Sequence, residues 1–165
     1  MKGRDWKDFF FIAATGTLLH FLYDFLPSPV TAVISGVNES VWEHMKLLFV
    51  PAFLRVMLGG REIAAGAAGI FAALGVIPAG YYTYTGALGR RILAVDMGIF
   101  YLATAVCVAL ARHLEGRMEK KWQRAAAWIA LMLTAFLFIL WTFYPPRIPL
   151  FQDPLSGGYG LGGNI

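Results

Sequence analysis

His20 and Asp24 stand one helical turn apart in an otherwise apolar stretch, and Asn38-Glu39-Ser40-Val41-Trp42-Glu43-His44-Met45-Lys46 follows soon after. Imidazoles and carboxylates in such a set suit a divalent metal. A first reading therefore has His20, Asp24, Glu43 and His44 as ligands to Zn²⁺, Fe²⁺ or Mn²⁺, with Glu39 as the alternative carboxylate. Water on that ion could attack an ester, amide or phosphoester. Adjacent Glu43 and His44 would point about 100° apart on a helix, so both reach one ion only if the helix start is irregular. A second chemistry is metal-free acid/base work by His20, Asp24, Glu43 and Asp96, with a carboxylate orienting the imidazole and water or Ser40 as nucleophile. The absence of G-x-S-x-G gives serine-hydrolase mechanics no support. A third is reversible binding of a small polar ligand or proton by Asn38, Glu39, Ser40, Lys46, Arg90 and Asp153, as a transport or scaffold subunit would need.

Each residue also has a structural reading. Ser40 and Glu43 fit a capping box. Glu43 and Lys46 could form a surface pair worth a few tenths of a kcal/mol. Asp24 could end its helix at the headgroups, Arg90 and Arg91 could meet lipid phosphates, and His113 could be solvated. His20 and Asp96, flanked by apolar residues on both sides, most need a polar partner from another helix.

The elements that hold these residues follow from composition. Of 165 residues, 58% are hydrophobic and 15% charged, against about 25% charged in a soluble domain. Lipid is the expected solvent, and a disordered chain, a disulfide-stapled secreted domain and a soluble nucleic-acid binder are excluded; no nucleic-acid partner is expected despite the net charge of +4. Cys107 has no second cysteine to pair with.

Crossing a bilayer takes about 20 apolar residues. Five segments qualify: 9–26, 41–58, 63–83, 92–111 and 125–144. The expected fold is all-α, a polytopic transmembrane bundle of five spans forming one domain over 1–144, with a Pro/Gly-rich tail at 145–165. The second span is the weakest, because Lys46 and Arg55 interrupt it. With the N-terminus inside, Lys2, Arg4, Lys7, Arg55, Arg61, Arg112, Arg117, Lys120, Lys121 and Arg124 are cytoplasmic, against Lys46, Arg90, Arg91 and Arg147 outside. That balance gives N-in, C-out in the cell membrane. Trp6 and Trp122 fall at the inner interface, and Trp42, Tyr81, Tyr82, Tyr84, Trp141 and Tyr144 at the outer one. A turn is expected at Pro27-Ser-Pro29. Ala65, Gly69 and Ala73, beside Ala64, Ala68 and Ala72, give the third span a small-residue face for helix packing or a homodimer seam.

On this topology the ionisable residues inside the helices gather in the outer half, with almost nothing in the inner half but a snorkelling Arg55. The tail lies outside as well. Its glycines predict an exposed, mobile segment, or else a lid carrying Asp153 or Tyr159 inward.

The run 37–47 resembles a family of small bacterial and archaeal integral membrane proteins of unknown function. That family combines a His-rich first helix, an N-E-S-x-W-E-H-x-K start to the second, and a C-terminal P-L-F-x-D-P stretch, here 149–154. The resemblance implies a multi-pass fold and singles out these residues; it implies no reaction.

Overall fold

The computed structural model describes residues 3–118 and 120–161. Lys2 and the last four residues of the tail lie outside them. Among the described residues six helices form: α1 Gly3–Phe25, α2 Pro29–Ile34, α3 Val41–Met57, α4 Ile63–Leu88, α5 Leu93–Leu114 and α6 Lys121–Phe143, followed by a 3-10 turn at Pro149–Phe151. The described residues contain no strand, only a single bridge between Gln152 and Tyr159. Helices α4, α5 and α6 are long and apolar enough to cross a membrane.

Two local differences from the sequence reading have clear causes. Helix α1 begins well ahead of residue 9 because Asp5 and Asp8 point inward on the same face as Ile12 and Gly16. The expected turn at Pro27-Ser-Pro29 leads into a further short helix, α2, since Pro29 suits a first helical position and Ser28 caps it. The Thr31 N–H donates to Ser28 Oγ at 3.1 Å, and the Ser28 N–H donates back to Thr31 Oγ1 at 3.1 Å.

Helix α4 packs against α3, α5 and α6, while α1 packs on α3 and α5. The long helices alternate in direction, so the C-terminal ends of α1, α4 and α6 meet the starts of α3 and α5. The small-residue face of α4 is spent inside the chain: Ala65 and Ala73 are buried. Ala68 and Ala72 beside them are half-buried. A methyl group on Gly69 would sit 2.3 Å from the Cys107 carbonyl oxygen of α5. Because the clash is with backbone, Gly69→Ala must push α4 and α5 apart. It is expected to cost about 1–3 kcal/mol, read as a lowered melting temperature of the detergent-solubilised protein.

The tail folds back rather than hanging free. Phe151 is buried, its ring 4.8 Å from Trp42 and 5.3 Å from Trp141, and Asn38 donates from its amide to the Gly160 carbonyl at 3.1 Å. Asp153 is carried inward with it and is 4% exposed. It organises its own turn, accepting from the Leu155 N–H at 2.9 Å and the Ser156 hydroxyl at 2.7 Å.

Candidate metal centre

Three side chains meet where the end of α1 faces the start of α3. Glu39 lies in the loop before α3, with Oε1 3.3 Å from His20 Nε2 and Oε2 3.8 Å from His44 Nε2. The two imidazole rings are 5.4 Å apart, nearly edge to face. One ligand atom from each of the three residues falls within 4.8 Å of the other two. His44 Nδ1 is 2.9 Å from the Ser40 carbonyl. A carbonyl can only accept, so Nδ1 carries a proton, and Nε2 is the nitrogen that faces Glu39. His20 Nδ1 is buried with no hydrogen-bond partner among the described residues.

Arg91, from the loop between α4 and α5, braces the carboxylate. Its guanidinium gives one N–H to Glu39 Oε2 at 2.6 Å and another to Asp96 Oδ2 at 2.6 Å. Tyr84 donates its hydroxyl to the other Asp96 oxygen and accepts the Ile92 N–H at 3.2 Å. Burial works to raise the Glu39 carboxyl, but the Arg91 hydrogen bond, with the attraction of His44 and His20 in their protonated forms and of the Arg91 charge, outweighs it. Glu39 is thereby held below the usual carboxylate range. Burial likewise opposes the charge on Arg91, but its bonds to Asp96 and Glu39 raise it above its ordinary value.

Other residues singled out from the sequence go elsewhere. Asp24 is exposed at the end of α1 and stands outside the cluster. Arg90 is exposed, and its neighbour Arg91 enters the site instead. Ser40 caps α3, accepting the Glu43 N–H at 3.3 Å. The reciprocal half of the expected capping box is absent: the Ser40 N–H goes to Asn38 Oδ1 at 2.9 Å. Glu43 turns away from His44, as a regular helix requires, and meets Lys46 at 2.6 Å in the interior. This is no surface pair. The Lys46 side chain is 0% exposed, and its ammonium also donates to the Ala32 carbonyl at 2.7 Å and to Thr142 Oγ1 at 2.9 Å.

The opposite end of the bundle holds an ionic cluster that the sequence reading missed. Asp5 and Asp8 are each 2% exposed. Arg61 reaches Asp8 Oδ2 at 2.7 Å and Asp5 Oδ1 at 2.5 Å. Its remaining nitrogen lies 3.1 Å from Glu115 without hydrogen-bond alignment. Arg55 donates through Nε to Asp8 at 2.9 Å, and Arg112 stands 3.5 Å from Asp5. Ionisable side chains therefore occupy both ends of the bundle, not one. The spacing 5, 8, 12, 16 along α1 carried the signal.

Residues 6–58 and 61–161 match the model of a family of unknown function, DUF6512. The chain belongs to that family. Both matched DUF6512 segments contribute to the cluster, 6–58 with His20, Glu39 and His44 and 61–161 with Arg91 and Asp96. No curated protein and no solved structure matches the chain significantly.

Proposed function

We propose that the protein is a five-span, N-in/C-out protein of the cell membrane that binds a divalent metal ion through His20, Glu39 and His44 near its outer face. The observation that carries this reading is the convergence of those three ligand atoms within 4.8 Å. Around a tetrahedral zinc ion, ligand atoms lie about 3.3 Å apart. His20 and Glu39 already have that spacing, and small side-chain rotations would bring in His44. The Ser40 carbonyl on His44 and the Arg91 guanidinium on Glu39 are the outer partners that orient metal ligands. Three protein ligands leave a position open, as in hydrolytic zinc sites, which supports a membrane-embedded hydrolase over a closed structural ion. Two further spans are supported by outward-facing apolar side chains on α1 (Phe10, Leu18, Phe21) and on α3 (Leu54, Met57).

Purified without a histidine tag and supplied with Zn²⁺, Fe²⁺ or Mn²⁺, the protein is expected to retain about one ion per chain after dialysis. His20→Ala and His44→Ala should each lose it, Glu39→Gln should weaken it, and Asp24→Asn should keep it. Elemental analysis that finds no stoichiometric metal in the parent protein overturns the assignment.

A further inference from the structure

A cavity of about 610 Å³ opens from the metal-ligand cluster between α1 and α5, within the roughly 300–1,000 Å³ range of small-molecule sites. Its carboxylates, imidazoles and guanidinium, from Glu39, Asp96, His20, His44 and Arg91, form one connected cluster. The rest of the wall is mainly apolar, with Leu47, Leu93, Met97 and Phe100 prominent beside the hydroxyls of Thr17 and Tyr101. Gly16 also lines it, where a methyl group would meet the Phe100 ring at 2.6 Å and the Leu47 carbonyl at 2.8 Å. The mouth is built from side chains that face outward: Phe21 is 52% and Leu93 66% exposed. On helices set in a bilayer, those are lipid-contacting positions. The cavity therefore opens sideways toward acyl chains.

A polar head and an apolar trough describe an amphiphile. The sign of its head follows from charge. Glu39 and Asp96 outnumber Arg91 by one, so neutral imidazoles leave the cluster net negative; a divalent ion reverses that and keeps a coordination position open. We propose that this cavity binds a membrane amphiphile with one apolar chain, its anionic oxygen headgroup seated on the His20–Glu39–His44 metal and its chain along α1 and α5. This rests on the metal reading above.

Dodecyl phosphate is a suitable probe, titrated calorimetrically into zinc-loaded protein in phosphatidylcholine nanodiscs. Inorganic phosphate serves as the head without the chain, and dodecanol as the chain without the head. Dodecyl phosphate is expected to bind at least about tenfold more tightly than either. Removing zinc should weaken it by a similar factor. Met97→Trp, which fills the trough away from the ligands, should do the same while leaving zinc stoichiometry and melting temperature unchanged. Equal affinity for dodecyl phosphate and inorganic phosphate, or indifference to Met97→Trp, overturns the amphiphile even if zinc is bound. Indifference to zinc removal overturns the metal-seated head. Failure of the parent protein to hold zinc is instead the failure of the metal reading, read separately by elemental analysis.

Discussion

Lys46→Met is expected to destabilise the protein by about 3–5 kcal/mol, the usual cost of leaving one partner of a buried ion pair alone. The Lys46 ammonium has three N–H donors, and all three are used, on Glu43, the Ala32 carbonyl and Thr142. One side chain thereby ties α3 to α2 and α6. Methionine fills nearly the same volume, so the loss reports charge and hydrogen bonding rather than a cavity. The abandoned Glu43 carboxylate would keep the Val37 N–H at 3.1 Å. Adding Glu43→Leu removes the stranded charge, and the double variant should be more stable than Lys46→Met alone. Thermal unfolding in a mild detergent measures all three proteins. A Lys46→Met variant as stable as the parent would show that the pair does not hold the bundle together.

Arg61→Ala should have a comparable effect at the other end of the molecule. It removes the partner shared by two buried carboxylates, Asp5 and Asp8, that approach the guanidinium along different N–H directions, and leaves the partly exposed Arg55 and the more distant Arg112 to balance them. Loss of about 3–5 kcal/mol is again expected, with α1 loosening from α3 and α4. Arg61→Lys should recover little of it, because an ammonium cannot reproduce the planar fork that bonds Asp5 and Asp8 together. Arg55 also contacts Asp8 but is partly exposed, so Arg55→Ala should cost less. Full recovery by lysine in the same unfolding assay would mean that charge alone, not fork geometry, matters there.

The helices were legible because a long apolar run has few alternatives: α4, α5 and α6 lie close to the expected segments. Their small-residue packing was legible too. At the site, His20 and His44 stood out as imidazoles in apolar surroundings, and the 100° argument showed that Glu43 and His44 would part company. Which of them would face α1 depends on how α3 is rotated. That rotation is set by long-range partners, with Trp42 against Phe138 and Lys46 against Thr142, which no local pattern contains. Glu39 replaced Glu43 as the carboxylate for this reason. Asp5 and Asp8 lie ahead of the apolar run that begins at residue 9, so hydropathy alone does not place them in the bundle. Only their register with Ile12 and Gly16 marked them as buried. The tail misled through its glycines, which allow its tight turn at Ser156–Gly158 while Phe151 anchors the segment.

The aromatic and ionic closure around α3 also has an order in time. During synthesis Glu43 and Lys46 emerge together and can pair within one helical turn. The Thr142 hydroxyl that completes the ammonium's shell is made 96 residues later, and Phe151, which covers Trp42, later still. Contacts between such distant parts of a chain form slowly. The start of α3 must therefore wait, half-assembled, until α6 has packed beside it. For that interval Lys46 has only Glu43 and the Ala32 carbonyl as partners, and Trp42 lacks the rings of Phe138, Trp141 and Phe151 that will cover it.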